Sequence, residues 1–324
     1  MSGGYTDIHV HCVPRDGAVR FRGWRRLLAP FLARSAGSRG SGPQAARRYM
    51  DRLADRLRTA RHVRRAVLLA LDCAHDAHGN PTDHMQGYTV PDADVRAWCE
   101  EAPDLFLYGA SVHPHRPDAL DALEQAAAQG AVLVKLIPNS QGIDLAEGRH
   151  QPYFRKLAEL GLPLLCHAGT EWVLPAQRQA WGDLARLCPA LDAGVTVIAA
   201  HGGSSGWFYN RHTLRRYAAL LADCPNLYGD TAALGLVNRM GALLWWRRHT
   251  EHVGQLLFGT DYPVPVPAVA WRPWLAEVDY RRLTCEANPF DRMALLLEAL
   301  GIHPPEQGFE ALLAGSGRLR EERA

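Results

Sequence analysis

Two hydrophobic periods alternate along this chain. Short apolar runs that end in polar residues cover 5–11, 65–72, 105–112, 132–137, 163–167, 196–201, 226–231 and 255–261. Between them lie longer stretches with helical spacing of apolar positions, at 44–60, 91–101, 117–129, 153–160, 176–187, 211–222 and 237–251. A last one, 289–300, follows the eighth run. Glycine or proline marks many junctions, as at Gly130, Gly161, Pro163, Gly194 and Pro225, where helices should stop before strands. Strand-helix alternation predicts right-handed βαβ units on a parallel sheet. Eight repeats of it predict a closed (β/α)8 TIM barrel in a single α/β domain. An open doubly wound sheet is the alternative, but no Gly-x-Gly-x-x-Gly follows any of the runs.

The barrel is expected to occupy residues 1–300. Three segments stand outside the repeat: an arginine- and aromatic-rich insertion at 14–43 after strand one, a proline-rich connection at 262–283 after strand eight, and a polar C-terminal tail at 301–324. Long loops of barrels tend to carry function. The insertion reads either as a solvated helix or as a lid or partner surface.

Bulk composition narrows the class without naming it. The chain is 47% hydrophobic and 22% charged, as ordinary globular proteins are. A net charge of +2 argues against nucleic-acid binding, and no stretch has the apolar length of a membrane span. Seven cysteines without a CxxC spacing predict reduced thiols in a cytoplasmic protein. The first strand begins within a few residues of Met1, which predicts no secretory signal. A homodimer is a compatible state. Of 36 basic residues only Lys135 and Lys156 are lysine.

Active sites of (β/α)8 barrels sit at the C-terminal ends of the strands. Strand one ends His9-Val-His11. Residues two apart in a strand share a face, so both imidazoles should point one way, with Ile8 and Val10 on the other. That arrangement suits two ligands of one metal ion. Strand four carries Lys135, strand five ends in His167, strand six in His201 and strand eight in Asp261. Any one of these at a strand end could be structural. Their convergence on one mouth predicts a site.

This set, in this order, resembles the amidohydrolase superfamily of metal-dependent (β/α)8 enzymes. The segments Asp7-Ile-His-Val-His11, His167-Ala-Gly, His201-Gly-Gly and Phe258-Gly-Thr-Asp-Tyr-Pro263 are similar to its amidohydrolase-related branch, family 2, which holds hydrolases and some decarboxylases. The resemblance implies a divalent metal, Zn2+ in the first place, as one or two ions. His9, His11, His167 and Asp261 would hold one ion, and His201 would bind a second or polarise the substrate. In binuclear relatives the strand-four lysine is carbamylated and bridges both ions. Lys135 is therefore either such a bridge or an unmodified lysine facing a substrate carboxylate.

The expected function is a metal-dependent hydrolase acting on a small, possibly anionic ester, lactone, amide or phosphoester. Asp261 is the expected general base on metal-activated water, and His201 or the metal would steady the oxyanion. The alternative enzyme is a mononuclear zinc decarboxylase of a small aromatic or muconate-like acid. A non-catalytic barrel is the reading from another class. For a metal-bound histidine, Asp230 at the end of strand seven is a candidate acceptor for the second ring nitrogen. Asn139, Glu171, Trp172 and His113 follow strand ends and are candidate substrate contacts.

Overall fold

The computed structural model describes residues 4–18, 40–85, 88–207 and 211–316. Eight parallel strands follow one another around a single sheet: β1 (Tyr5–His11), β2 (Val63–Leu69), β3 (Phe106–Ala110), β4 (Leu133–Leu136), β5 (Leu164–Cys166), β6 (Val197–Ala199), β7 (Leu227–Asp230) and β8 (Leu256–Leu257). Each pairs with the next in sequence, for example Lys135 opposite Leu165 and Ala199 opposite Gly229. The short β8 does not complete the ring alone. The residues just past it do: Ile8 N–H donates to Phe258 O at 3.0 Å, Asp261 N–H to His9 O at 2.9 Å and His11 N–H to Tyr262 O at 2.9 Å. The expected (β/α)8 barrel is the architecture observed.

Helices cover the outside of the sheet, among them Pro43–Thr59, Asp92–Glu101, Ala119–Ala128, Gln151–Glu159, Arg211–Asp223 and Pro289–Ala299. These lie within two or three residues of the periodic stretches. Two expected helices break up. The stretch 176–187 becomes two 3-10 turns, Gln179–Gly182 and Leu184–Leu187, followed by the short helix Cys188–Asp192. Gly182 packs against the 169 loop so closely that a Cβ there would sit 2.1 Å from Gly169 O. The Asp183 carboxylate then caps a new turn by accepting from Ala185 N–H. The stretch 237–251 keeps only Met240–Trp246 as an α-helix. The connection at 262–283 carries two helices, Ala268–Trp271 and Glu277–Cys285, the second running past its end.

Strand β1 departs from regular alternation. Asp7 pairs with Ala66 and Val10 with Leu68, so three steps on β1 oppose two on β2. This bulge separates Ile8 from Val10. Ile8 packs inside the barrel with Val67, Leu165, Ile198 and Leu257, whereas Val10 packs in the shell between sheet and helices. The expected common face for Ile8 and Val10 therefore does not form. His9 and His11 still come together, with ring centroids 5.3 Å apart.

The far end of the barrel is closed by the helix Gly308–Gly315, which falls where the sequence suggests a loose tail. Phe309 and Leu313 are 3% and 4% exposed and join the interior cluster. The helix is also pinned by a hydrogen bond from the Thr6 hydroxyl to the Glu310 carboxylate. The insertion's residues 19–39 and the tail's 317–324 lie outside the described residues. Phe309→Ala is expected to cost about 3 kcal/mol of stability, the usual toll for emptying a buried aromatic site. Equilibrium denaturant unfolding would measure it. A loss below about 1 kcal/mol would mean that this helix is not part of the core.

Candidate metal centre

The strand ends open onto a cavity of about 660 Å³. His9, His11, Lys135, His167, His201 and Asp261 all line it, as do Glu171, Trp172 and Arg239. Two of these residues hold unusual backbone. His201 and Asp261 have φ of +66° and +63°, which side chains larger than glycine rarely adopt. At His201 the left-handed turn runs on through Gly202 and Gly203, with φ of +53° and +74°. Residues held in strained conformations by their surroundings cluster at functional sites. Here the strain turns each side chain from its strand end into the mouth.

His9 is the hinge of the arrangement. Its Nδ1 lies 2.7 Å from Asp230 Oδ2, and the same carboxylate accepts from His201 N–H at 2.6 Å through Oδ1. A carboxylate acceptor on Nδ1 leaves the lone pair on Nε2. That nitrogen faces Lys135 Nζ at 3.1 Å and Asp261 Oδ1 at 3.5 Å. Asp261 Oδ1 is also 2.9 Å from His11 Nε2. His9, His11 and Asp261 thus offer three ligand atoms within 4.8 Å of one another. Asp7 fixes β1 beneath them, accepting from His9 N–H at 3.0 Å, Thr260 N–H at 3.1 Å and the Thr260 hydroxyl at 2.5 Å.

His167 and His201 make a second pair. His201 Nδ1 donates to Ala232 O at 3.0 Å, and its Nε2 lies 3.1 Å from His167 Nδ1. The two groups meet where the His9 and His201 rings stack, 5.4 Å apart. The expected set is therefore gathered in one cavity, but as two layers: His9, His11 and Asp261 in one, His167 and His201 in the other.

Electrostatics favour neutral nitrogen ligands and an ionised carboxylate. Burial, together with the cations Lys135 and Arg239, pushes His9, His167 and His201 well below the ordinary histidine range. Burial also lowers Lys135, against the pull of Asp230 and Asp261. Burial pushes the Asp261 carboxyl up, but His9, His11 and Lys135 together outweigh it and hold it below the usual range. Burial raises Asp230 to about 6.

The other expected contacts separate. Glu171 and Trp172 border the cavity, and the Glu171 carboxylate is held by Val173 and Leu174 N–H. Asn139 and His113 do not border it. Asn139 donates to the carbonyls of Gly169 and Gln179, tying two loops together. His113 Nε2 lies 2.9 Å from Gln141 O, and its Nδ1 accepts from His115 N–H. Burial pushes the His113 pKa down to about 3. A neutral ring with both nitrogens engaged is a packing element.

Sequence reasoning passed over Arg239. It is 6% exposed, sits in the segment after β7 and faces the cavity. Its Nη1 is buried with no hydrogen-bond partner among the described residues. Burial lowers its pKa, countered by Asp261, Glu171 and Asp230.

The barrel with histidines and a carboxylate gathered at its strand ends defines a class, and sequence comparison names it. The family model described as amidohydrolase, of the second amidohydrolase type, matches residues 6–295. The chain belongs to that family, whose members include hydrolases and decarboxylases and depend on metals. No curated protein matches it in sequence. Similar solved structures include a putative 2-pyrone-4,6-dicarboxylic acid hydrolase from Pseudomonas putida, 14% identical, with a TM-score of 0.59 over 99% of this chain and 100% of that one. A 2,6-dihydroxybenzoate decarboxylase complexed with 2,6-dihydroxybenzoate is 16% identical, with a TM-score of 0.53 over 93% of this chain and 100% of that one. A 5-carboxyvanillate decarboxylase from Novosphingobium aromaticivorans, with bound manganese, is 13% identical, with a TM-score of 0.52 over 95% and 97%. At these identities the likeness is one of fold. No helix among the described residues is long and apolar enough to cross a membrane.

Proposed function

We propose that this protein is a metal-dependent hydrolase of a small carboxylated substrate, with Asp261 as general base. The observation that carries the reading is the convergence of His9, His11 and Asp261 on one point beside a buried arginine with an unpaired nitrogen. The donor set fits a divalent ion. Two imidazoles and a carboxylate are zinc-type ligands, and the Asp230 contact fixes the His9 tautomer that exposes Nε2. A bound divalent ion would act as a Lewis acid and lower the pKa of water beside it toward about 7.

The chain's own residues supply the rest. Arg239 holds a carboxylate of the substrate through its unpaired Nη1 and so places the reacting carbonyl near Asp261. Asp261 accepts the proton of the attacking water and later returns it to the leaving oxygen or nitrogen. His201 donates Nδ1–H to a carbonyl, which leaves Nε2 unprotonated. From Nε2 it therefore serves as an acceptor or would help hold a metal ion, and it has no N–H there to offer an oxyanion. Lys135, lowered by burial, has access to the neutral amine that carbamylation needs. About two active-site equivalents of metal would favour a carbamylated Lys135, and about one the unmodified lysine.

Decarboxylation of an aromatic acid is the second reading. The apolar walls favour it, including Tyr88, Ile137, Leu174 and Val264. In that case Asp261 would move a proton to carbon. Seven free cysteines support placement in the reducing cytoplasm.

Metal removal tests the proposal. Stripping with a chelator is expected to abolish turnover of carboxylated lactones or esters, and Zn2+ or Mn2+ to restore it. Full activity in the stripped protein would rule out the metal-dependent reading. Carbon dioxide release from aromatic acids, without hydrolysis of any lactone or ester, would favour the second reading.

A further inference from the structure

A second group of histidines packs outside the cavity, on the loops that follow β2, β3 and β4. His75, His113, His115 and His150 form a column of rings. Centroids are 4.7 Å apart between His75 and His113, 4.8 Å between His113 and His115, and 5.2 Å between His115 and His150. None of the four borders the metal-centre cavity. His113 has both nitrogens engaged, but the last pair does not. His115 Nε2 and His150 Nε2 are both buried with no hydrogen-bond partner among the described residues.

The His115 tautomer follows from the backbone. His115 Nδ1 lies 3.0 Å from the Asp76 carbonyl oxygen. A carbonyl only accepts, so His115 Nδ1 carries the proton and Nε2 presents a lone pair. His150 Nε2 is buried beside it, likewise with no partner among the described residues. Burial and Arg149 push His115 down, and burial, His115 and Arg149 push His150 down to about 4. The two stacked imidazoles thus bury two ring nitrogens that no group among the described residues satisfies.

The third group is Glu147, on the same turn as His150. It offers a carboxylate oxygen that lies, with the two ring nitrogens, in a set spanning no more than 4.8 Å. Its Oε2 is held by Arg149 Nε at 2.6 Å, an ion pair that takes one carboxylate oxygen and orients the other. The backbone carbonyl behind His115 and the cation behind the carboxylate are the kind of supporting contacts that ligands of a metal ion need.

We propose that His115, Glu147 and His150 form a second divalent-metal site, of zinc type, that staples the loops after β3 and β4. The Asp76 carbonyl links the loop after β2 to it through His115. Two imidazoles and one carboxylate select Zn2+ over Mg2+ or Ca2+, which prefer all-oxygen sets. Because its residues do not border the cavity, this ion would hold the mouth's loops together without touching substrate.

The test uses the full chain, stripped and titrated with Zn2+ alone. Glu147 is exposed, so Glu147→Gln should fold like the parent. It is expected to weaken one class of zinc site by at least about tenfold while leaving turnover at saturating active-site metal unchanged. His150→Gln should lower zinc stoichiometry by about one equivalent. Anomalous scattering at the zinc edge should place a peak between His115 and His150. Equal zinc stoichiometry and affinity in the parent and both variants would overturn the proposal, as would no peak there at millimolar zinc.

Discussion

Asp261→Asn is expected to leave a folded barrel and remove at least about 10³-fold of kcat, the upper range of general-base contributions. The substitution keeps side-chain size, and the backbone bond from residue 261 to His9 O that closes the ring is untouched. What it removes is the carboxylate. His9, His11 and Lys135 hold Asp261 ionised despite its burial, and the same Oδ1 faces both His9 and His11. An amide can neither take a proton nor contribute a negative charge to a metal. The loss should therefore appear in kcat and in metal affinity together, with the melting temperature of the metal-free protein nearly unchanged. Turnover within about tenfold of the parent would remove Asp261 from the mechanism. A collapsed melting temperature would show instead that the strained turn at 261 depends on the charged side chain.

The residues that make this site could be read from the sequence because barrel topology does the assembling. A polar residue that ends an apolar run lands at the mouth, so His9, His11, Lys135, His167, His201 and Asp261 could be placed together without any contact information. Asp230 could be paired with a histidine for the same reason. Other features depend on tertiary packing. The bulge between Asp7 and Val10 inserts one residue against β2, and nothing in Tyr-Thr-Asp-Ile-His-Val-His marks it. The layering of His9 with His11 and of His167 with His201 arises from side-chain geometry across four strands. Helix Gly308–Gly315 is short, flanked by glycine and preceded by proline, so its local signal is that of a tail. Only burial against the barrel end makes it a helix. Arg239 was hidden by composition: with lysine at only two of 36 basic positions, arginine at one more position carries little information. Lysine is rare enough in this chain to make Lys135 distinctive, and arginine common enough that Arg239 is not.

Arg239→Ala is the second change with a large expected effect, and it tests how the substrate is held. The guanidinium is buried among Glu171, Asp230 and Asp261, yet one nitrogen has no partner among the described residues. A buried donor left unmade is costly, and an incoming carboxylate would satisfy it. Truncating one member of a buried charge pair costs about 2–5 kcal/mol, or roughly 30-fold to several thousand-fold in kcat/KM. Most of the loss should fall on KM if Arg239 only anchors, and on kcat as well if it sets the position of the reacting carbon. Lysine in its place keeps the charge but not the planar fork, so Arg239→Lys should recover part of the affinity and little of the positioning. A merely structural arginine makes a different prediction. Its loss would weaken every substrate alike, because the neighbouring carboxylates would go unbalanced. An anchoring arginine penalises only the carboxylated substrate: an analogue with that carboxylate converted to an amide should already be poor for the parent and should lose little more in the variant. Equal losses for both substrates would assign Arg239 to the support of Glu171 and Asp230.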